Sequence, residues 1–182
     1  MPTLIVVSGP PGSGKTTLAH DVAGAIGCPA ICRDEIKEGM VHASPGFVPG
    51  PGDPLTMRTL DTFFDVLRLL VSRGTTVVAE AAFQDRLWRP ALEPLADLVS
   101  LRILRCAVDA AVAHARMTQR ANENPLRKAH EDGHRLEDAD DWRRSHASFV
   151  PISLPAPAID VDTTDGYDPG LSEIVAFVNS VH

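Results

Sequence analysis

The stretch Gly9-Pro-Pro-Gly-Ser-Gly-Lys-Thr16 fills every fixed position of the pattern G-x-x-x-x-G-K-[ST]. The apolar, β-branched run Thr3–Ser8 before it predicts a buried strand. After it, apolar residues at helical spacing predict a helix over Lys15–Ile26, ended by Gly27. A strand, a glycine loop and a helix start together direct backbone N–H groups at an anion. The stretch therefore predicts a nucleoside triphosphate site rather than an ordinary glycine-rich turn.

Each residue type in the loop has a physical task. The glycines permit backbone angles and close approaches that a Cβ would forbid. The Lys15 ammonium reaches the terminal phosphates, and the Thr16 hydroxyl is a ligand for Mg²⁺. The predicted nucleotide-binding residues are Gly9, Pro10, Pro11, Gly12, Ser13, Gly14, Lys15, Thr16 and Thr17.

Composition limits the class of protein. The 182 residues fit one domain over 1–182, and the net charge of −7 disfavours a protein that holds long nucleic acids by neutralising phosphates. The cysteines Cys28, Cys32 and Cys106 lack metal or redox spacing and predict buried thiols of a reducing compartment. The chain shows no signal peptide and no apolar run of membrane-spanning length, so we expect a soluble, cytoplasmic protein without a membrane partner.

Strands alternate with helices along the whole chain, which predicts an α/β fold with a parallel sheet covered by helices on both faces. A loop over 42–53 is rich in proline and glycine and is interpreted either as a mobile functional loop or as a connector. Asp53 is predicted to cap the helix that follows. Besides the first strand and helix, strands are predicted over 29–32, 75–79, 101–108 and 158–161, and helices over 53–74, 85–96, 109–121, 136–149 and 171–181.

Two acidic residues follow predicted strands, at the sheet edge where open α/β folds bind ligands. Asp34 is interpreted either as a catalytic base or as the N-cap of the next helix. Glu80 ends the third strand as a loose Walker B acid. It is interpreted as a group that holds a magnesium-bound water or an acceptor hydroxyl, or else as a surface acid. Asp160, Asp162 and Asp165 are interpreted as turn residues after the last strand, and no zinc site is assigned to the histidines.

A family resemblance narrows these alternatives. GPPGSGKTT followed by CRDEIK resembles the kinase domain of the polynucleotide kinases and the zeta-toxin kinases, within the small P-loop kinases. The resemblance covers about residues 1–135. It implies a three-layer P-loop NTPase fold with five parallel strands in the order 2-3-1-4-5, a helical lid over about 115–135, and ATP with Mg²⁺ as cofactors.

The resemblance also implies roles for single residues. Asp34 corresponds to the base that accepts the proton of the acceptor hydroxyl, and Lys37 stands where the relatives carry an arginine that contacts the phosphate of the acceptor. Arg116 and Arg120 resemble lid arginines that stabilise the transferred phosphoryl group, with Arg127 as a third. His130 falls in the same segment, where a surface histidine is expected. The implied catalytic residues are Lys15, Asp34, Arg116 and Arg120, the implied acceptor-binding residues are Asp34, Lys37 and Glu80, and the metal ligand is Thr16.

These observations predict an ATP-dependent kinase that phosphorylates a hydroxyl of a small molecule, such as a sugar, nucleoside, nucleotide sugar or antibiotic. A polynucleotide 5′-hydroxyl kinase is the first alternative, which the acidic charge and Lys37 disfavour. The second is a nucleotide-binding switch that hydrolyses ATP slowly and transfers nothing.

Overall fold

The structure is a computed structural model, and it describes residues 1–48, 50, 53–123 and 139–180. Its centre is a sheet of five parallel strands in the order β2-β3-β1-β4-β5, as implied by the resemblance. The strands are β1 (Thr3–Ser8), β2 (Ala30–Cys32), β3 (Val77–Glu80), β4 (Ser100–Ala107) and β5 (Ala158–Asp162).

Seven helices are present in the described part of the chain. No described helix has both the length and the apolar character needed to cross a bilayer. The helices are α1 (Lys15–Ile26), α2 (Arg33–His42), α3 (Pro54–Ser72), α4 (Asp85–Ala96), α5 (Ala110–Glu123), α6 (Ala139–Ala147) and α7 (Leu171–Asn179).

The alternating side chains of β1 build the two halves of the core. Leu4 and Val6 pack into a cluster with residues of α3 and α4, while Ile5 and Val7 pack against α1 and α7. All four side chains are fully buried. A central parallel strand buried on both faces produces the apolar run that predicted it, and the result is the expected three-layer arrangement.

The predicted ends of several elements shift by one to three residues. The third strand begins at Val77 rather than at 75, because the Thr75 amide donates to Leu70 O at the end of α3 and the Thr76 hydroxyl accepts from the Thr3 amide. The predicted cap of α3 is confirmed, since Asp53 accepts a hydrogen bond from the Thr56 amide at 2.9 Å.

A small cluster of buried side chains joins α5 to α6. Trp142 packs against Ala113 and Met117, and its indole N–H donates to Ala110 O at 3.3 Å. The expectation that Trp142 lies on the buried side of its helix is therefore confirmed. Most of the predicted lid, residues 124–135 with Arg127 and His130, lies outside the described residues.

Candidate active site

The glycine loop connects β1 to α1, and neighbouring backbone decides where glycine is required. A Cβ on Gly12, whose φ is +78°, would lie 2.6 Å from Ala113 O. A Cβ on Gly9 would lie 2.7 Å from Ser13 Oγ and 2.8 Å from Cys106 O. Such contacts are shorter than real side chains adopt, so both positions exclude any side chain.

The residues of the loop fit a triphosphate. Helix α1 begins at Lys15, so the amides of its first turn point into the loop without intrahelical acceptors. The Lys15 ammonium donates to Pro10 O at 3.0 Å, within reach of any anion seated in the loop. Ser13 Oγ is buried and has no hydrogen-bond partner among the described residues. A bound phosphate would supply acceptors to these donors.

The loop is joined to β3 by a contact between Thr16 and Glu80. The Thr16 hydroxyl donates to Glu80 Oε2 at 3.2 Å, and Glu80 is 4% exposed. Burial raises the pKa of the Glu80 carboxyl, and the nearby Lys15 charge partly opposes that shift. The interpretation of Glu80 as a surface acid is therefore wrong.

The same pair of oxygens fits a magnesium site. Two ligands at about 2.1 Å from an octahedral ion lie about 3.0 Å from each other. The observed 3.2 Å between the Thr16 hydroxyl and the Glu80 carboxylate is close to that spacing. Thr16 would hold the ion directly, and Glu80 would hold it directly or through a water.

Asp34 lies at the start of α2 but does not cap it. The N-cap is Cys32, and the helix begins at Arg33, so Asp34 is its second residue. Its carboxylate accepts from Arg33 Nη1 at 3.1 Å and is 38% exposed. The capping interpretation is thus wrong, and Asp34 is accessible in the wall of a cavity that it shares with Lys15, Thr16 and Glu80.

Lys37 is occupied by neighbouring protein groups. Its ammonium donates to Asp53 Oδ2 and to Thr56 Oγ1, both at 2.9 Å. Burial would raise the pKa of Asp53, but the Lys37 hydrogen bond and the Thr56 amide lower it overall. The resemblance implied that Lys37 contacts the phosphate of an acceptor. In this structure it joins α2 to the first turn of α3, although it also lines the cavity.

Arg116 and Arg120 both line the cavity from α5. Arg116 Nη2 donates to Thr163 O at 2.7 Å and to Thr164 O at 3.0 Å. Arg120 Nη2 contacts Met117 Sδ at 3.6 Å. Arg116 therefore lies beside the segment after β5, and both arginines lie on the side of α5 that lines the cavity.

Thr163 is a residue that sequence reasoning missed. Its hydroxyl donates to Ser13 O at 2.8 Å and lies 3.0 Å from Ala107 O, so it ties the segment after β5 to the glycine loop. Its position two residues after the last predicted strand was the available signal. The interpretation of Asp160 and Asp162 as turn residues after the last strand is wrong, because both lie within β5. Asp162 is its last residue, and its carboxylate accepts from the Thr164 amide at 2.7 Å.

The cavity has a volume of about 860 Å³, which exceeds what phosphates alone would fill. One group of its lining residues is named the acceptor half, after the acceptor-binding role that the resemblance implies for Asp34 and Lys37. The group consists of Arg33, Asp34, Lys37, Gly50, Asp53, Thr56, Ala81, Ala82 and Trp88. If the 42–53 loop is functional, as one of its two interpretations holds, residues of this loop and of the helix after it should line the acceptor half. Among the described residues, Gly50, Asp53 and Thr56 do so.

A second group of polar side chains lies at the end of β2, between α1 and α2. His20 Nε2 lies 2.7 Å from Glu35 Oε1 and 3.7 Å from Cys32 Sγ, a grouping that the sequence spacing did not indicate. Burial raises the pKa of the Cys32 thiol, which keeps it protonated. Cys32 and Cys106 are buried free thiols, as predicted, whereas Cys28 is half-buried.

Comparison with known proteins agrees with this architecture. No curated protein matches the chain. A proposed kinase from Chloroflexus aurantiacus has a TM-score of 0.82 at 22% identity, over 97% of this chain and 96% of that one. A sugar kinase from Janibacter has a TM-score of 0.66 at 19% identity, over 100% of both chains. The APS kinase of Mycobacterium tuberculosis has a TM-score of 0.61 at 17% identity, over 98% of both.

At these identities the structures establish the fold, which is that of the small P-loop kinases. The predicted kinship with polynucleotide and zeta-toxin kinases is confirmed only at the coarser level of domain family and fold. The family that matches the sequence itself is the AAA domain, over residues 4–146. With most of its length matched, the chain belongs to the AAA domain family.

Proposed function

We propose that the protein is an ATP-dependent phosphotransferase that moves the γ-phosphoryl group of ATP to a hydroxyl of a small molecule. The observation that carries the proposal is the shared cavity. The triphosphate loop with Lys15 forms one part of its wall, and the accessible carboxylate of Asp34 forms another. A site for hydrolysis alone has no need of the additional wall that Arg33, Lys37 and Trp88 contribute to the same cavity.

Each side chain of the site has a separate role in the phosphoryl transfer. The acceptor hydroxyl attacks the γ-phosphorus, the bond from that phosphorus to the β,γ-bridging oxygen breaks, and ADP leaves. Asp34 orients the hydroxyl and takes its proton. Lys15 stabilises negative charge on the transferred group, and Arg116 and Arg120 would add to that stabilisation from α5. A magnesium ion would neutralise charge on the phosphates, with Thr16 and Glu80 as the residues that hold it.

A polynucleotide 5′-hydroxyl kinase is the alternative with the same chemistry. It receives less support because Lys37, the residue assigned to an acceptor phosphate, is paired with Asp53 at 2.9 Å. The net charge of −7 also disfavours a long anionic acceptor. A switch that transfers nothing would give no role to Asp34.

The test is Asp34→Asn, compared with Asp61→Asn. Asp61 is an exposed residue of α3 outside the cavity, so its variant matches the change in charge. ADP and phosphorylated product are measured with pooled sugars, nucleosides, antibiotics and 5′-hydroxyl oligonucleotides. We expect Asp34→Asn to lower transfer about 10²- to 10⁴-fold while ATP affinity is retained. Acceptor-independent phosphate release, equal in all three proteins, would refute the proposal in favour of the switch.

A further inference from the structure

The charged side chains of the acceptor half form two ion pairs. Arg33 Nη1 lies 3.1 Å from Asp34 Oδ1, and Lys37 Nζ lies 2.9 Å from Asp53 Oδ2. The second pair is deeply buried, with side-chain exposures of 7% for Lys37 and 6% for Asp53. Among the described residues of the acceptor half, each cation therefore has a carboxylate beside it, and the charges sum to zero.

A charged acceptor would disturb this balance. An anionic group placed near Lys37 would also approach the Asp53 carboxylate, and a cationic group near Asp34 would approach Arg33. Like charges brought together in a half-buried site repel each other and disfavour binding. Removing an acceptor's charge from water adds a desolvation penalty that no unopposed counter-charge among these residues offsets.

The same groups keep hydrogen-bonding capacity for hydroxyls. An ammonium has three donors, and Lys37 uses two of them on Asp53 and Thr56. Arg33 Nε is buried without a hydrogen-bond partner in the described part of the chain. A hydroxyl oxygen can accept from such donors without adding charge. The wall is completed by the small side chains of Ala81 and Ala82 and by Trp88.

We propose that the acceptor is an uncharged polyhydroxylated molecule, of the chemical class of neutral sugars, cyclitols and nucleosides. This inference rests on the proposed kinase activity. The two ion pairs bind its hydroxyls and select against acceptors that carry a carboxylate or a phosphate. Lys37 and Asp53 thereby act as specificity-determining residues, and the role in binding an acceptor phosphate that the resemblance implied for Lys37 does not apply.

The test compares matched acceptors that differ only in charge. Suitable pairs are the methyl ester of glucuronate with glucuronate, and methyl shikimate with shikimate, because each pair keeps the same ring and the same hydroxyls. For each, kcat/KM is measured from ADP release with confirmation of the phosphorylated product. In every pair that is turned over, we expect the neutral member to be preferred by about tenfold or more, which corresponds to about 1.4 kcal/mol.

Asp53→Asn tests the mechanism of selection. Asparagine caps helices as well as aspartate does, so the bond to the Thr56 amide can persist while the charge beside Lys37 is removed. We expect the preference for the neutral member to fall about tenfold in this variant and to stay unchanged in Asp61→Asn. If the variant is too unstable to assay, Lys37→Gln provides the second test, because the uncompensated Asp53 should then disfavour anions further.

The outcomes separate the two proposals. Preference for the anionic member of the pairs by the wild-type protein overturns the inference and leaves the kinase activity standing. An unchanged preference in both pair-breaking variants also overturns it. Failure of every acceptor to raise ADP release overturns the proposed function itself, and the inference falls with it.

Discussion

The Thr16 hydroxyl donates to the Glu80 carboxylate across 3.2 Å, although 64 positions separate the two residues in the chain. The contact exists because β1 and β3 are adjacent and Val7 pairs with Glu80, so the end of β3 lies beside the start of α1. It brings the hydroxyl of the phosphate loop and a buried acid into one candidate magnesium site.

Glu80→Gln should separate stability from activity. Burial raises the pKa of Glu80, so between its unfolded and its folded pKa the native protein binds the extra proton, and stability falls as pH rises. Glutamine does not titrate, so the variant does not lose stability in this way as pH rises. We therefore expect it to unfold at a higher temperature than the wild type at neutral pH. Phosphoryl transfer should fall about 10- to 100-fold, with a higher magnesium requirement.

Thermal unfolding across pH and magnesium titrations of ADP release provide the measurements. A Glu80→Gln protein that is less stable than the wild type at neutral pH would contradict the assignment of a raised pKa. Unchanged magnesium dependence would remove Glu80 from the metal site.

Gly12→Ala should abolish ATP binding. The added Cβ would lie 2.6 Å from Ala113 O, and φ of +78° is strained for any L-residue. Gly24→Ala provides the matched control in α1, because a Cβ there meets no atom within 4 Å. We expect the control to bind ATP normally and to be stabilised by about 0.5–1 kcal/mol through its higher helix propensity.

Calorimetric titration with ATP and urea unfolding of both alanine variants test this prediction. Normal ATP affinity in Gly12→Ala would show that the loop relaxes freely. That result would refute the steric argument.

Thr163→Val should weaken the junction between β5 and the glycine loop. The substitution nearly preserves shape but removes the hydroxyl that donates to Ser13 O. We expect a loss of about 1–3 kcal/mol in the free energy of unfolding, because a buried acceptor loses its partner. The ATP KM should rise as well. Thr118→Val on exposed α5 surface is the control, and equal effects of the two substitutions would argue against a specific role for Thr163.

Arg116→Ala and Arg120→Ala test the two arginines of α5. Arg116 contacts the carbonyls of Thr163 and Thr164 beside the loop, so its loss should raise the ATP KM and lower kcat. We expect kcat/KM for ATP to fall about tenfold or more in each variant. Arg68→Ala, on exposed α3, should leave kinetics unchanged. Normal turnover in both α5 variants would show that neither arginine stabilises the transferred phosphoryl group.

The elements predicted best from the sequence are those specified by local signals. β1, the loop and α1 were predicted to the residue, because glycine, β-branched and apolar positions within 24 residues specify them. The Asp53 cap was predicted for the same reason, since it depends on a bond to the amide three residues later.

The site contacts that sequence reasoning missed are non-local. The Lys37–Asp53 pair joins residues 16 positions apart across a loop, and no periodicity reports it. Burial of Glu80 depends on the register of β3 against two neighbours, Val7 on β1 and Cys32 on β2. Asp34 was assigned correctly to the edge of the sheet. Whether it caps α2 depends on the residue at which the helix begins, and the run of charged residues around Asp34 does not specify that residue.

The position of the tryptophans has a practical consequence. The chain contains two, Trp88 on α4 and Trp142 on α6, and both line the same cavity. Their rings lie in different clusters, Trp88 against Phe83 and Trp142 beside His114. The intrinsic fluorescence of the unlabelled protein therefore originates entirely at the site. Variants in which one of the two tryptophans is replaced by phenylalanine would show which residue responds when a ligand binds. Binding of acceptors can therefore be screened by fluorescence before any product is identified.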